Sequence, residues 1–271
     1  MEEFLLEKIK SHVQEHKSQI GFRPSHSTSH ALTILSDFVC TNLNRRQTTI
    51  LVSLDLEKAF DTAWIEGIIY KMYRIFKFNK NLCRMLYCYL KDRSFYVTND
   101  GQNSITRDII AGVPQGYHNT CDIQVIIYAD DILVLGSHAR IAQANAKINN
   151  YLDDIHVYFN KWKLKLNICK SECTIIKGLR KNLFPNARKF TPQFFINGEV
   201  INVKDQIKYL GVVLDDRFTF KKHLDYTLAK AKKLFFSYAN LMRRPVGLRT
   251  YIKLNIYKQI IRPIISYAHP I

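Results

Sequence analysis

Apolar residues recur at helical spacing over residues 2–17 (Phe4, Leu5, Ile9, Val13), and that period predicts an amphipathic helix. Gly21 to Pro24 breaks the pattern, and helical spacing returns over 28–43, 62–78 and 80–91. Short continuous apolar runs predict buried strands instead. Ile50–Leu54 is one such run. Val125–Tyr128 and Ile132–Leu135 are two more, and they predict a β-hairpin with Asp130 and Asp131 at its tip. Ser94–Thr98 and Ile105–Ala111 read as strands around a turn containing Gly101, and Gly112–Gly116 reads as a turn. A long helix is predicted over 141–167, ending in Trp162, Leu164 and Leu166, followed by a strand over Cys173–Lys177. Asn197-Gly198 marks a hairpin within Phe194–Val203, and Ile207–Leu214 reads as one strand. From Phe220 the pattern is helical, interrupted at Pro245–Gly247 and resumed over 248–261. Strands and helices interleave and then helices alone follow, which predicts an α+β sheet domain with a helical C-terminal region.

Composition adds a partner class. The chain has 271 residues, 47% of them hydrophobic, with only 10 Gly and 7 Pro, which excludes disorder, collagen and coiled coil as the main state. Its net charge is +17, and the excess is one-sided. Residues 1–155 carry 17 basic and 17 acidic side chains, whereas residues 156–271 carry 23 and 6. A basic surface kept only for solubility would not need to sit in one half, so a polyanion is the expected partner. The six cysteines show no CxxC spacing and are expected to be buried free thiols of a reducing compartment. His12/His16 and His26/His30 stand at i, i+4 but lack a third ligand, so no zinc site is expected. The start Met1-Glu2-Glu3 lacks the basic, apolar character of a signal peptide, and no apolar stretch reaches spanning length. These features predict an intracellular protein of nucleus or cytoplasm with no membrane contact.

The chemistry concentrates on three acids. Asp55 ends the apolar run Ile50–Leu54, and Asp130 and Asp131 sit between two apolar runs. A buried carboxylate without a partner is costly. No basic residue lies near Asp130 and Asp131 in sequence, which favours a metal over a solvated turn. Oxygen-only ligands beside substrate phosphates suit Mg²⁺, and two ions ~3.5–4 Å apart can serve phosphoryl transfer.

Several strings resemble a known family. Gln19-Ile-Gly-Phe-Arg-Pro-Ser-His-Ser-Thr28, Leu54-Asp-Leu-Glu-Lys-Ala-Phe-Asp61, Ala111-Gly-Val-Pro-Gln-Gly116 and Tyr128-Ala-Asp-Asp131 resemble the reverse transcriptase domain. Their order and spacing are similar to those of jockey-like non-LTR (LINE-type) retrotransposons. Asn160-Lys-Trp-Lys-Leu-Lys-Leu-Asn167 with Lys170-Ser171, Lys208-Tyr-Leu-Gly-Val-Val213 and Ile261-Arg-Pro-Ile-Ile-Ser-Tyr-Ala268 resemble the family's later motifs. The resemblance implies a right-hand polymerase: partial fingers over 1–50, a palm built on an antiparallel sheet over 51–214, and a basic helical thumb over 215–271. It implies RNA-directed DNA polymerisation, with an RNA template, a DNA primer and dNTPs as partners, and two Mg²⁺ (or Mn²⁺) on Asp55, Asp130 and Asp131. The Leu56 carbonyl is implied near a metal. Phe60 would select against a 2′-hydroxyl, Gln115 would contact the incoming nucleotide, and Lys170 would neutralise departing pyrophosphate. Gly112, Gly116, Tyr128 and the strand Tyr209-Leu210-Gly211 are implied at template and primer. Arg23 is expected to be structural. Basic helices would track duplex phosphates, while Phe235, Phe236, Tyr238, Tyr251 and Tyr257 are expected mostly in the thumb core.

The chain also departs from the family. An apolar helix normally follows the Pro-Gln-Gly turn, yet only 11 residues separate Gly116 from Tyr128, near 117–127. Such a helix burying about five apolar side chains is worth ~7–15 kcal/mol, comparable to a whole domain's ~5–15 kcal/mol stability. Fingers strands before residue 1, a continuation past Ile271 and an endonuclease domain are expected to be missing. These departures imply an internally deleted, truncated copy, and a non-catalytic nucleic-acid-binding remnant as the alternative function.

Overall fold

The computed structural model describes residues 2–10, 13, 17–57, 64–91, 93–95, 98–99, 102–103, 107–109, 123–177, 191–243 and 249–268. In chain order the elements are α1 (Glu2–Lys10), α2 (Thr28–Asn44), β1 (Thr48–Leu54), α3 (Ile65–Arg74), α4 (Lys80–Leu90) and the short strands β2 (Arg93–Phe95), β3 (Thr98–Asn99), β4 (Gln102–Asn103) and β5 (Arg107–Ile109). Then come β6 (Ile123–Tyr128), β7 (Asp131–His138), α5 (Ile141–Lys161), β8 (Glu172–Ile176), β9 (Phe194–Ile196), β10 (Glu199–Val203), β11 (Gln206–Tyr209) and β12 (Val212–Asp215). The chain closes with α6 (Lys221–Arg243), α7 (Thr250–Ile256), a π-helical turn over Tyr257–Ile261 and α8 (Arg262–Ser266). This is an α+β fold.

Six strands form one sheet in the order β6-β7-β1-β8-β10-β9. All neighbours are antiparallel except β8 and β10. The apolar runs read as strands because both faces are covered, so every residue needs to be apolar. Ile50, Val52 and Leu54 face α5, where Ala144, Ile148, Leu152, Ile155 and Phe159 are buried against them. Leu51, Ile126, Leu133 and Leu135 face the other way, onto Leu32, Leu35 and Val39 of α2 and onto Ile207, Tyr209, Val212 and Leu214 of β11–β12. A third cluster joins Leu5 of α1 to Met72, Phe78, Cys83 and Leu86.

Several expectations hold and others shift. The β6–β7 and β9–β10 hairpins form where expected. Of the helix expected over 2–17, Glu2–Lys10 is described, and the Val13 N–H still reaches the Ile9 carbonyl at 3.0 Å, while residues 11–12 and 14–16 lie outside the described residues; the helix expected over 62–78 runs Ile65–Arg74. The helix expected to 167 ends at Lys161, because Leu166 leaves it to pair with Leu56. Ile207–Leu214 is a hairpin rather than one strand, turning at Leu210 (φ 43°) and Gly211 (φ 81°). The strands expected at Ser94–Thr98 and Ile105–Ala111 resolve into two pairs, β2 with β5 and β3 with β4. The Gly112–Gly116 turn lies outside the described residues. Cys83 and Cys173 are buried, but Cys40, Cys88 and Cys169 are exposed, so the expectation of buried thiols fails for those three. His30 is a helix-capping residue: its Nδ1 accepts the Ser27 N–H at 3.1 Å. Among the described residues no helix is long and apolar enough to cross a membrane.

Of the segment near 117–127, residues 117–122 lie outside the described residues, and β6 begins at Ile123. Ile123, Val125, Ile126 and Ile127 are all buried.

Candidate active site

Register brings two of the three acids together. In β1–β7 the last pair is Leu54 with Ile132, so the next position sets Asp55 opposite Asp131. Side chains alternate faces along a strand, and directly opposed residues share a face. Asp55 and Asp131 therefore continue the Leu51 and Leu133 face, where Tyr209 also packs. Asp130 lies in the turn between Tyr128 and Asp131, which are themselves a pair. Ala129 in that turn adopts φ 56°, a left-handed conformation that costs energy for any residue but glycine.

The clustering of the acids has an electrostatic consequence. Partial burial, then the charges of Asp130 and Asp55, raise the Asp131 carboxyl above its ordinary pKa. Burial first and then the Asp131 charge push the Tyr209 phenol upward, and its buried hydroxyl has no hydrogen-bond partner among the described residues.

Asp55 is held by a loop 116 residues away in sequence. Its carbonyl accepts the Asn167 N–H at 2.8 Å, and its N–H donates to Ser171 Oγ at 3.3 Å. Ser171 Oγ donates in turn to the Asn167 carbonyl at 2.9 Å. Glu57 N–H donates to the Lys165 carbonyl at 2.9 Å. Leu56 and Leu166 thus form a non-hydrogen-bonded pair, so that pairing does not use the Leu56 carbonyl. The sequence drew attention to the strings containing Asn167 and Ser171, but nothing in their spacing showed that they brace Asp55.

Lys170 Nζ stands 3.9 Å from Asp55 Oδ2. The fold thus brings Lys170, 115 positions away in sequence, to Asp55 at the outer limit of an ion pair. Tyr128 and Leu210 pack at the edge of the α2-facing cluster, and Tyr209 lies within it. Gly211 faces Tyr267, whose hydroxyl donates to the Leu210 carbonyl at 2.6 Å. Phe60, Gly112, Gln115 and Gly116 lie outside the described residues.

The donor set of Asp55, Asp130 and Asp131 is all oxygen; Asp130 is exposed and Asp131, though partly covered, still reaches solvent, which fits a hard divalent cation approaching from there. Among the described residues no three His, Cys, Asp or Glu side chains are arranged as a metal cage.

The aromatic residues of the C-terminal helices correct the expectation of a packed core. Phe235, Phe236, Tyr251 and Tyr257 are all exposed. Lys222, Lys230, Lys232 and Lys233 precede Phe235 on α6, and Lys253 of α7 stands between Tyr251 and Tyr257.

The family model described as Reverse transcriptase (RNA-dependent DNA polymerase) matches residues 1–121 and 110–214. The chain belongs to the reverse transcriptase family. It is 29% identical to the RNA-directed DNA polymerase from mobile element jockey of Drosophila melanogaster, over 93% of this chain and 29% of that protein. It is 28% identical to the probable RNA-directed DNA polymerase from transposon BS of the same species, over 92% of this chain and 29% of that one. The chain thus spans less than a third of these relatives. A telomerase of Candida Tropicalis truncated from its C-terminal domain superposes with a TM-score of 0.49 at 14% identity, over 81% of this chain and 44% of that one. Reverse transcriptases generally work with a divalent metal ion, the class of ligand that the three carboxylates suit.

Proposed function

We propose that this chain is the polymerase core of a non-LTR retrotransposon reverse transcriptase, adding dNTPs to the 3′-hydroxyl of a DNA primer on an RNA template. One observation carries the reading: the β1–β7 register aligns Asp55 with Asp131 beside Asp130, where burial and then the charges of Asp130 and Asp55 raise the Asp131 carboxyl. In this reading residues 1–50 are partial fingers, 51–214 the palm and 215–271 the thumb.

Asp55, Asp130 and Asp131 would hold two Mg²⁺, or Mn²⁺ in their place, with the Leu56 carbonyl nearby. Bound there, the ions would ease ionisation of the primer hydroxyl and offset charge on the transferring phosphoryl group. The chain's own residues set up the rest. The Asn167–Ser171 loop holds Asp55 in place through both backbone groups. The primer oxygen bonds to the α-phosphorus as the bond to the β-phosphate breaks, and pyrophosphate leaves with its charge near Lys170. Phe60 would bar a 2′-hydroxyl, and Gln115, between Gly112 and Gly116, would contact the nucleotide. Tyr128 and the Tyr209-Leu210-Gly211 turn would meet the primer and template. The exposed aromatic and lysine side chains of α6 and α7 suit a nucleic-acid backbone and unstacked bases.

A second reading, a nucleic-acid-binding remnant without turnover, has its own support. The two family matches meet over 110–121, and the alignment to jockey runs over 276 positions while covering 93% of a 271-residue chain. The relative therefore carries positions that this chain lacks, in keeping with a deletion near 117–127. Single-nucleotide incorporation on a primed RNA template with Mg²⁺ separates the two. The polymerase reading expects incorporation that Asp130→Asn abolishes, whereas salt-dependent RNA binding with no incorporation selects the remnant.

A further inference from the structure

The segment before α2 lies directly against the turn that carries Asp130. Ile127 donates its N–H to the Ser18 carbonyl at 2.8 Å, and its own carbonyl accepts the Ile20 N–H at 2.8 Å and the Gly21 N–H at 3.4 Å. Gln19 pairs with Ile127 in a parallel bridge, so residues 18–21 form an extra edge on β6. The edge is itself clamped: Gln19, only 2% exposed, donates from Nε2 to the Gly21 carbonyl at 2.7 Å.

Gly21 is the closest point of approach. A Cβ there would stand 2.4 Å from the Ala129 nitrogen, 3.0 Å from the Tyr128 carbonyl carbon and 3.1 Å from the Tyr128 Cα. These are backbone atoms, which cannot swing aside as a flexible side chain would. Gly21 does not occupy the left-handed region, so its backbone angles do not call for glycine; space does. Ala129 does occupy that region, at φ 56°, so the turn is held in a conformation that its own residue disfavours.

We propose that Gly21 is a positioning residue: by carrying no side chain it lets residues 18–21 lie flush on the Tyr128–Asp130 turn and hold Asp130 and Asp131 in place. Any larger residue at 21 must displace either the edge or the turn. A displaced turn moves two of the three carboxylates relative to Asp55, which sits on a different strand with its own brace. The consequence for catalysis rests on the polymerase reading, but the steric claim does not.

The experiment compares the full chain with Gly21→Ala and with the double variant Gly21→Ala/Ala129→Gly, the second change freeing the turn to yield. Hydrogen–deuterium exchange over residues 125–131 reads the contact itself. It should speed at least tenfold in Gly21→Ala, while exchange over β1 stays within twofold. Incorporation kinetics read the consequence: kcat should fall at least tenfold, with the Kd for primed RNA within twofold, and the double variant should recover part of kcat. Unchanged exchange over 125–131 overturns the proposal whatever the activity. Loss of kcat and RNA affinity in parallel with global loss of protection, without recovery in the double variant, also overturns it by making Gly21 merely structural. If the wild-type chain incorporates nothing, the polymerase reading fails, and the exchange result still decides the positioning claim.

Discussion

Replacing Ser171 with alanine removes one oxygen and isolates the brace on Asp55. Ser171 is fully buried, and its hydroxyl accepts the Asp55 N–H at 3.3 Å and donates to the Asn167 carbonyl at 2.9 Å. The Asn167 carbonyl keeps two other donors, the N–H groups of Lys170 at 3.2 Å and Ser171 at 3.0 Å. The loss therefore falls on the Asp55 N–H, which becomes a half-buried donor without a partner. Such a group costs ~1–3 kcal/mol, and the length of the original bond sets the expectation near 1 kcal/mol. Urea unfolding followed by circular dichroism should show a lower midpoint with an unchanged slope. The same freedom at Asp55 should slow single-nucleotide incorporation by about tenfold, the equivalent of ~1.4 kcal/mol in the barrier. The affinity for primed RNA should stay within twofold, since Ser171 is buried away from any surface. A Ser171→Ala chain with the wild-type midpoint and the wild-type rate would refute the claim that this loop positions Asp55.

Three further outcomes follow from the packing. Lys71 is buried against Trp162, with its Nζ 3.9 Å from the ring centroid and donating to Tyr158 Oη at 3.0 Å; burial, then the Lys161 charge, pushes its pKa down to about 8. Below pH 8 both folded and unfolded chains hold the proton, so the cost of burying the charge is fully present. Between about pH 8 and 10.5 the unfolded chain holds more protons, so stability should rise with pH by ~1–3 kcal/mol relative to Lys71→Met, and parallel curves for the two would contradict this. Phe159→Ala empties the α5 face of the sheet core and should cost ~3–5 kcal/mol in urea unfolding, with a cost under ~1 kcal/mol counting against the assigned core. Tyr209→Phe removes a buried hydroxyl that has no hydrogen-bond partner among the described residues, so its stability should match or exceed the wild type, and a loss above ~1 kcal/mol would reveal a partner.

What the sequence made legible was local. The β6–β7 hairpin was readable because two apolar runs flank two acids, a pattern that only a buried hairpin with a polar tip satisfies. The β9–β10 hairpin was readable from Asn197-Gly198, whose φ angles of 53° and 78° are what its turn demands. Convergence of Asp55 with Asp131 was suggested by family resemblance, and the register shows it geometrically. The misses are non-local or masked. The α5 helix stops early because Leu166 finds a partner in Leu56, 110 positions away. The β11–β12 turn was hidden because Ile207–Leu214 is apolar almost throughout, and only the positive φ of Leu210 and Gly211 divides it. The steric role of Gly21 and the brace at Ser171 depend on contacts more than 100 residues apart, which no spacing rule reports. The aromatics of α6 and α7 looked like core residues by type, yet the helices present them to solvent beside lysines.

Fe²⁺ substituted for Mg²⁺ offers a direct look at the shared site, because hydroxyl radicals generated at a bound iron cut only the backbone close to it. With ascorbate and peroxide, the full chain should be cleaved at two places far apart in sequence, beside Asp55 and beside Asp130–Asp131, and excess Mg²⁺ should suppress both cuts together. Cleavage at one of the two alone, or at neither, would show that these carboxylates do not hold a common ion.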